Sequence, residues 1–345
     1  MAKILFISPQ PLFGGAAVAN MSIAQMLQND GHVVVYNDEY MEADEYNGMN
    51  IYHYNIHAAE TNRNSNLLNI INDINNKIGK LDCIIWGDVS IFIYFQKAMK
   101  KIKKSGMRQI AIFHSLSLET SIKSKILELV VSYSIRFFDY YIFVSDYTRK
   151  SWSKYWFIRR NPSKLKVIFN PVKEVKTRHQ IKNNGKLTLG FVGRFSEEKQ
   201  PELFCKLSNY DSDYNFVAYG EGPLLEMMKE KYTRVSFQGL CHNQDIIYSN
   251  IDLLVMTSKF ENCPMVILES KSRGIPCVTP NVGGIPEIVL SGTDGVLYDD
   301  YNVETISESI NNVFKCYENY SNNCLVRKEL FTPNHIVVKW NSILN

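Results

Sequence analysis

Short apolar runs alternate with segments of helical periodicity along almost the whole chain, and this alternation constrains the fold more than any other feature of the sequence. Runs of this kind are typical of parallel strands, which are buried on both faces. One intervening segment carries Leu67, Ile71, Ile74 and Ile78, whose spacing places them on one face of a helix. The pattern therefore predicts an α/β fold in which helices cover parallel sheets.

Two series of strand candidates are separated by a polar stretch from Pro171 to Lys186 that has no periodicity. The first series is KILFIS, VVVY, CIIWG, QIAIFH, YYIFVS and KVIF, and the second is LTLGFVG, YNFVAYG, VSFQG, DLLVMTS, CVTP and GVLYD. A chain of 345 residues exceeds the size at which one hydrophobic core usually stops growing. We therefore expect two doubly wound domains in tandem, with ligands bound in a central cleft beyond the carboxyl ends of their strands.

The expected domain boundaries follow from these patterns. Residues 1–172 form a first doubly wound domain, residues 173–186 a linker, and residues 187–330 a second doubly wound domain. Residues 331–345 contain a proline that can open a helix and apolar residues that can pack this helix back onto the first domain.

Composition and patterning argue against several classes of protein. The net charge of +3 and the lack of a base-reading motif argue against a nucleic-acid partner. The apolar run at the amino terminus ends at Pro9 and is too short for a signal peptide or a membrane span. Seven scattered cysteines without a CxxC pair indicate reduced thiols, so we expect a cytoplasmic location.

Gly14 and Gly15 lie between the first strand candidate and a predicted helix. Glycine permits a tight turn and close backbone approach, and a helix start offers N–H donors to a phosphate. The two glycines are therefore candidates for donor binding, although an ordinary strand-to-helix turn accounts for them equally well. The nicotinamide fingerprint GxGxxG does not occur here, which argues against a dehydrogenase.

Two cations follow the first strand of the second series, in the string LGFVGRFSEEK. Arg194 comes directly after the strand and Lys199 lies at the start of the next helix, so both can reach one diphosphate. Fixed cations stabilise a departing nucleoside diphosphate because its negative charge grows as the bond breaks. A solvated pair beside Glu197 and Glu198 is the alternative, but the position at the carboxyl end of a strand favours the phosphate site.

A glycine-rich turn follows the strand YNFVAYG. Gly220, Glu221 and Gly222 can let a base or ribose approach the backbone, so this turn is a further candidate for donor binding. Asp211 and Asp213 have the spacing of a DxD metal motif, but they precede the strand and so face away from the expected cleft. The sequence therefore predicts a loop there and no metal site.

The string FENCPMVILES carries two glutamates that can bind sugars. Glu261 lies in the loop after the strand DLLVMTS, and Glu269 lies about two turns into a helix that begins near Pro264. A carboxylate can accept both hydrogen bonds of a vicinal diol, so one glutamate suits the transferred sugar and the other a ribose. The N–H groups of Met265 and Val266 at the helix start can complete the phosphate site.

Polar residues also end three strands of the first domain. His114 ends QIAIFH, where it can hydrogen-bond a sugar hydroxyl or position the acceptor. Asp88 after CIIWG and Ser145 at the end of YYIFVS share this rim and are candidates for the acceptor side. A structural role is the alternative for the histidine, and turn or helix-cap roles are the alternatives for the other two.

The chain resembles the retaining glycosyltransferases of family four, which have the GT-B architecture of two Rossmann-like domains facing a central cleft. The string ENCPMVILES matches the family's glutamate-x7-glutamate motif, and VGRFSEEK matches its VGR-x4-K phosphate motif. The string GIPCVTPNVGGIPEIV resembles the segment that follows in the family. The resemblance runs over nearly the whole chain and is densest from Leu187 to Val289.

The resemblance implies a role for each matching residue. Arg194 and Lys199 would hold the donor diphosphate, Glu261 would bind the transferred sugar, and Glu269 would bind the ribose. His114 would contact the donor sugar near the reaction centre. The candidate catalytic residues are thus the two cations, the first glutamate and the histidine.

The resemblance also bears on the mechanism and on the pocket beside the sugar. Gly15 would approach the diphosphate from the first domain. The mechanism favoured for the family is a front-face reaction in which the leaving phosphate helps to deprotonate the acceptor, so no protein nucleophile, cofactor or metal ion is implied. Asn262 and Cys263 replace the family's usual glycine and aromatic residue, so we expect an altered sugar pocket.

We therefore expect a retaining, metal-independent glycosyltransferase that uses a nucleoside diphosphate sugar, with a UDP-sugar favoured, and a glycan or glycolipid acceptor of bacterial surface polysaccharide synthesis. A sugar-nucleotide epimerase or hydrolase and a non-catalytic sugar-nucleotide binding module are the alternatives. The basic string from Lys97 to Lys104 suggests weak peripheral contact with the inner membrane face, and a solvated helix face is the alternative.

Overall fold

The structure is a computed structural model that describes residues 1–8, 14–37, 50–51, 62–116, 122–175, 177–181 and 185–345. It divides into two compact units, one formed by Met1–Pro171 with Pro333–Asn345 and the other by Val172–Thr332. Each unit contains one parallel sheet with helical connections. The predicted α/β fold with two doubly wound sheets is confirmed.

The sheet of the first unit has the strand order β3-β2-β1-β4-β5-β6-β7, and all of its described pairings are parallel. The order reverses between β1 and β4, so the carboxyl ends of β1, β4 and β5 lie side by side at a position where such sheets bind ligands. The strands are β1 (Lys3–Ile7), β2 (Val33–Asn37), β3 (Asn50–Ile51), β4 (Cys83–Trp86), β5 (Arg108–Phe113), β6 (Tyr140–Phe143) and β7 (Leu165–Val167).

Helices cover this sheet through apolar faces that the sequence spacing predicts. On α2, Leu67, Ile71 and Ile74 are buried, as expected for one face of a helix. They join a core that contains Trp86 and Phe113 from the strands. The helices before the second unit are α1 (Gly15–Asn29), α2 (Arg63–Ile78), α3 (Gln96–Lys104), α4 (Ile122–Ser134), α5 (Asp146–Trp152) and α6 (Trp156–Arg159), with 3₁₀ helices at Val89–Ile93, Ile135–Phe137 and Pro162–Lys164.

The sheet of the second unit has the strand order β10-β9-β8-β11-β12-β13, again with parallel pairings throughout the described strands. The order reverses between β8 and β11, so the loops after these two strands lie at neighbouring carboxyl ends. The strands are β8 (Thr188–Val192), β9 (Asn215–Tyr219), β10 (Val235–Gly239), β11 (Leu253–Val255), β12 (Cys277–Pro280) and β13 (Gly295–Tyr298).

The helices of the second unit pack against both a large core around Phe191, Phe204 and Leu253 and a smaller one around Tyr248 and Ile251. Burial on both faces explains why the inner strands of this unit are nearly continuous apolar runs, whereas the edge strand β10 exposes Ser236 and Gln238. The helices are α7 (Pro201–Tyr210), α8 (Leu225–Lys231), α9 (Gln244–Ser249), α10 (Met265–Ser272), α11 (Ile285–Ile288), α12 (Val303–Lys315) and α13 (Tyr317–Arg327), followed by a 3₁₀ helix at Lys328–Phe331.

The last helix, α14 (Pro333–Leu344), is part of the first unit. Its Asn341 carboxamide oxygen lies 2.9 Å from Nε2 of His32 and its amide donates to Asp30. Trp340 on the same helix is fully buried. The chain thus leaves the first unit after Pro171 and returns to it at Pro333.

The described residues between 173 and 186, a segment that the sequence suggests as a linker, belong to the second unit. Nε2 of His179 lies 2.8 Å from Oδ1 of Asp252, and the guanidinium of Arg178 donates to Glu318. The polar residues that interrupt the apolar periodicity therefore form side-chain contacts with this unit. Because such contacts have no periodicity, the sequence pattern cannot distinguish them from a free linker.

Candidate functional site

Lys199 and Glu261 meet in the second unit, although they are 62 positions apart in the sequence. Lys199 lies in the loop after β8 and Glu261 in the loop after β11, and Nζ is 2.5 Å from Oε1. The same oxygen accepts a 2.8 Å hydrogen bond from the Ser258 hydroxyl. The glutamate is buried and the lysine is about one quarter exposed, so the pair forms a fixed cation and carboxylate at the edge of the sheet.

The backbones of these two loops are also joined. The Thr257 hydroxyl lies within 2.9 Å of the carbonyl oxygens of both Lys199 and Gln200, and the N–H of Lys259 donates to the carbonyl of Glu198 at 2.8 Å. Gln200 has a left-handed backbone conformation with φ of 46°, which costs a non-glycine residue on the order of 1–2 kcal/mol. The contacts from the β11 loop hold this conformation and thereby fix the lysine.

Arg194 directly follows Val192 and Gly193 at the end of β8, and its side chain is exposed. Within the described part of the chain it takes part in no salt bridge, in contrast to Lys199. An exposed guanidinium without a protein carboxylate can bind the oxygens of a diphosphate in bidentate fashion.

Gly220 and Gly222 have φ values of 135° and 152°, which L-residues rarely adopt. A Cβ on Gly220 would lie 1.9 Å from the carbonyl oxygen of Gly193, and one on Gly222 would lie 2.5 Å from that of Phe195. The N–H of Phe195 also donates to the carbonyl of Glu221 at 2.8 Å. The glycines thus let this turn lie against the loop that carries Arg194, whereas the sequence pattern suggests close approach of a base or ribose.

Glu269 lies on α10 with only 7% of its surface exposed. The Gln244 amide donates to Oε1 at 2.8 Å and the Tyr248 hydroxyl donates to Oε2 at 2.7 Å. Burial raises the pKa of the carboxyl group, and the tyrosine hydrogen bond and the nearby Arg273 charge act in the opposite direction. Two side chains of α9 therefore fix the orientation of this carboxylate.

The first turn of α10 is the predicted phosphate-facing helix start. Pro264 occupies the position before the helix, and no side chain in the described residues caps it. The N–H groups of Met265 and Val266 are among the four that an α-helix leaves without intrahelical partners. Cys263 and Met265 are buried and Asn262 is partly exposed beside this turn.

The backbone of Glu261 lies against Gly283 and Gly284. The sequence analysis did not anticipate this contact. The N–H of Gly284 donates to the carbonyl of Glu261 at 3.0 Å. Gly283 has φ of 61°, and a Cβ there would lie 1.8 Å from the same carbonyl oxygen. The glycine pair in NVGGIPEIV is the signal that could have indicated this close backbone approach.

In the first unit, His114 directly follows β5 and is 8% exposed. Its Nε2 lies 2.8 Å from Oδ1 of Asn20, a fully buried residue of α1. Burial lowers the pKa of the histidine to about 4, so the imidazole is neutral at physiological pH. Asn20 is a candidate site residue that the sequence analysis missed; its one signal is an amide within an otherwise apolar helix face.

Gly14 and Gly15 lie at the start of α1, whose first residue is Gly15. Gly14 precedes the first helical residue, and no side-chain cap of this helix occurs among the described residues. A Cβ on Gly15 would meet nothing within 4 Å, so packing within the described structure does not require glycine there. Residues 9–13 of the preceding loop lie outside the described residues.

Asp88 and Ser145 are buried helix caps. Asp88 accepts a 2.7 Å hydrogen bond from the N–H of Ser90 at the start of a 3₁₀ helix, and burial raises its pKa. The Ser145 hydroxyl accepts from the N–H of Thr148 at the start of α5. These contacts agree with the structural alternative for both residues. Their acceptor-side role stays a prediction.

Nowhere in the described ranges do three or more His, Cys, Asp or Glu side chains come together as a metal site would require. None of the helices that the structure describes combines the length and apolar character needed to cross a bilayer.

The family model of glycosyl transferases group 1 matches residues 172–324, which include Arg194, Lys199, Glu261 and Glu269. Residues 172–324 belong to this family. The resemblance stated from the two motifs is thereby confirmed, and the second unit is the glycosyl transferases group 1 domain of the chain.

Two curated relatives match part of the chain. A GDP-mannose-dependent alpha-mannosyltransferase of Corynebacterium glutamicum is 31% identical over 119 residues, covering 34% of this chain and 29% of the relative. The O-antigen biosynthesis glycosyltransferase WbnH of Escherichia coli is 27% identical over 157 residues, covering 45% of each. The matches thus span less than half of these relatives.

Solved structures resemble the whole chain. Anabaena HepE in complex with UDP and glucose has a TM-score of 0.79 at 15% identity and covers 100% of this chain and 99% of that one. Sucrose-phosphate synthase of Thermosynechococcus elongatus has a TM-score of 0.77 at 14% identity and covers 99% of this chain and 98% of that one. These likenesses show the GT-B fold.

Proposed function

We propose that the protein is a retaining, metal-independent glycosyltransferase that transfers a sugar from a nucleoside diphosphate sugar to a glycan or lipid-linked acceptor. The observation that carries this proposal is the contact between Lys199 and Glu261, which brings the phosphate motif and the glutamate motif to one edge of the second sheet. Membership of residues 172–324 in the glycosyl transferases group 1 supports it.

The diphosphate part of the donor would bind to the cations and the helix start. Arg194 offers a guanidinium, Lys199 offers an ammonium group, and α10 offers the N–H groups of its first turn. These groups interact more strongly with the leaving nucleoside diphosphate as its charge grows, so they lower the barrier to breaking the glycosidic bond. No protein side chain need act as nucleophile in this scheme.

The two glutamates would hold the sugars on either side of the diphosphate. Glu261 is fixed by Lys199 and Ser258, and it would accept hydrogen bonds from hydroxyls of the transferred sugar. Glu269 is fixed by Gln244 and Tyr248 and would accept hydrogen bonds from the ribose. Fixed carboxylates bind with a smaller entropic cost than mobile ones.

A UDP-sugar is the proposed donor. The structure of HepE, which shares the fold over the whole chain, was determined with UDP and glucose. The Corynebacterium relative is named for GDP-mannose, so a GDP-sugar is the alternative donor. A panel of UDP-, GDP-, ADP- and dTDP-sugars therefore separates the two possibilities.

The proposed acceptor is a glycan or glycolipid of bacterial surface polysaccharide synthesis, by analogy with the O-antigen relative. We further propose a cytoplasmic location with weak contact to the inner membrane face. The lysines of α3 between Lys97 and Lys104 are exposed, and Lys103 pairs with Asp139. Salt-dependent sedimentation with anionic vesicles tests this contact.

The decisive experiment combines donor binding with transfer. The cognate nucleotide sugar at a 100-fold excess over its Kd should stabilise the protein by about 2.7 kcal/mol, which a thermal-shift panel detects. Transfer to acceptor extracts should retain the anomeric configuration and persist in EDTA. Loss of transfer in EDTA with recovery on adding manganese would contradict metal independence, and release of free nucleotide without any acceptor product would favour an epimerase or hydrolase.

A further inference from the structure

Two tyrosines from the edge strand of the second sheet hold the loop that carries Glu261. The Tyr298 hydroxyl, at the end of β13, donates to the carbonyl of Met256 at 2.6 Å. The Tyr301 hydroxyl, three residues further on, donates to the carbonyl of Ser258 at 2.8 Å. Both carbonyls belong to the loop after β11, so side chains of one loop fix the backbone of another.

These contacts reach across an intervening strand. β12 lies between β11 and β13, and neighbouring strands are about 4.8 Å apart, so the two loops begin on the order of 10 Å from each other. A tyrosine side chain has a rigid apolar ring with its donor at the tip, which suits it to this span. The rings of Tyr298 and Tyr301 pack edge to face with centroids 5.6 Å apart, so each limits the movement of the other.

Ser258 connects the Tyr301 contact to the Glu261 carboxylate. Its carbonyl accepts from the tyrosine, and its hydroxyl donates to Oε1 of the glutamate at 2.8 Å. Lys199 binds the same oxygen. A shift of the Ser258 backbone would therefore move its hydroxyl away from Oε1 and weaken the restraint on the carboxylate.

The two tyrosines differ in their surroundings. Tyr298 is 3% exposed and belongs to the large core of the unit, whereas Tyr301 is 37% exposed. Burial raises the pKa of both hydroxyls, so both stay protonated donors at physiological pH. Because Tyr301 lies outside the core, its hydroxyl can be removed with little loss of packing.

We propose that Tyr301 is a positioning residue that fixes the Glu261 carboxylate through Ser258 and so supports sugar transfer. The effect on transfer rests on the proposed function, whereas the restraint on the loop follows from the structure alone. Tyr301 acts on the step that uses the glutamate and leaves binding of the bare nucleotide unchanged.

Amide hydrogen exchange on the full chain, followed by NMR, measures the restraint without any substrate. The N–H of Lys259 donates to the carbonyl of Glu198 and the N–H of Gly284 donates to that of Glu261, so these two amides report on the loop. In Tyr301→Phe we expect both to exchange about fivefold to tenfold faster, the effect of one lost hydrogen bond. Unchanged exchange at both amides would overturn the proposal.

Tyr317→Phe is the matched control, because the Tyr317 hydroxyl donates to the carbonyl of Asp252 at 2.9 Å, next to the opposite end of β11. It removes the same kind of bond from the same strand. Exchange at the two loop amides is compared with that of Leu254, whose N–H donates to Pro276 within the sheet. The control should leave this ratio unchanged; an equal rise of the ratio in both variants would indicate general loosening and reject a specific restraint.

The link to the glutamate is tested by combining Tyr301→Phe with Glu261→Ala. Tyr301→Phe alone should lower kcat about fivefold to tenfold and change the Kd for UDP less than twofold. Because the tyrosine acts through the glutamate, the double variant should have the kcat of Glu261→Ala alone within about twofold. Losses that multiply in the double variant would reject positioning.

Ser258→Ala breaks the same connection at its middle and keeps the test valid if Glu261→Ala does not fold. Adding Tyr301→Phe to it should lower kcat by less than about twofold further, and a full second loss would contradict the proposal. If no nucleotide sugar supports transfer in the wild type, the proposed function fails while the exchange rates still decide whether Tyr301 restrains the loop.

Discussion

The hydroxyl of Tyr248 on α9 donates a 2.7 Å hydrogen bond to Oε2 of Glu269 on α10, and both side chains are buried. A buried carboxylate is costly unless its oxygens are hydrogen-bonded. Here one oxygen is bound by the tyrosine and the other by Gln244. The residue proposed to bind ribose is therefore oriented before any ligand arrives.

Removing this hydroxyl in Tyr248→Phe should destabilise the protein by about 1–3 kcal/mol, because it leaves a buried carboxylate oxygen without its donor. The Kd for UDP should rise roughly tenfold, since the carboxylate is no longer held. Urea unfolding and calorimetric titration measure the two effects. Tyr210→Phe, on the exposed end of α7, is the control and should change neither; unaltered UDP binding in Tyr248→Phe would remove Glu269 from the ribose site.

Arg194→Ala should lower turnover by roughly two to three orders of magnitude, as expected when one electrostatic stabiliser of a developing anion is lost. The melting temperature should stay within about 1 °C of the wild type, because surface substitutions outside special features change stability little. Steady-state kinetics and differential scanning calorimetry test both parts. Arg234→Ala removes another exposed arginine of the same unit and should retain full turnover. Normal turnover in Arg194→Ala would reject the phosphate role.

Glu261→Gln should impair sugar transfer more than it impairs binding of UDP alone. The change keeps the shape of the side chain but removes the charge that pairs with Lys199 and weakens its contacts to sugar hydroxyls. Comparing kcat/KM with the Kd for UDP separates the two effects. Glu197→Gln in the neighbouring loop controls for loss of a negative charge. Equal losses in transfer and UDP binding would place Glu261 at the nucleotide instead of the sugar.

His114 should make stability depend on pH. Burial lowers its pKa from 6.5 to about 4, so the folded chain binds fewer protons than the unfolded chain between these values. The free energy of unfolding should therefore fall as the pH drops from 6.5 through 4, by on the order of 3 kcal/mol. In His114→Gln this dependence disappears, so its urea midpoint should approach that of the wild type at low pH. The assignment would be contradicted if the difference in urea midpoint between His114→Gln and the wild type stayed constant from pH 6.5 to 4. It would also be contradicted if the exposed His335→Gln lost its pH dependence in the same way.

The strands of both sheets could be predicted because each is a short apolar run that ends in a turn residue, and parallel burial requires such runs. The two-residue strand β3 (Asn50–Ile51) was not predicted, since two residues carry no pattern. The proximity of Lys199 and Glu261 could be predicted from the sequence because both residues follow strands of one sheet. Their strands, β8 and β11, are direct neighbours in the sheet.

Other parts of the site depend on contacts that no local pattern records. Asn20 is one polar residue in an apolar helix face, and only the fold brings it to Gly87 and His114. The glycines at 220 and 222 were recognised as special, but the backbone that approaches them belongs to another loop of the chain. Sequence pattern thus shows that a backbone must come close to these glycines without showing which one.

The path of the chain through α14 makes the second unit an insertion within the first. The outgoing and returning segments lie beside each other, since the N–H of Val172 donates to the carbonyl of Phe331 at 2.9 Å. Two covalent connections, one after Pro171 and one before Pro333, therefore join the units. A protease that cuts only one of them leaves the other intact, so both must be severed before the glycosyl transferases group 1 domain can be isolated as a fragment.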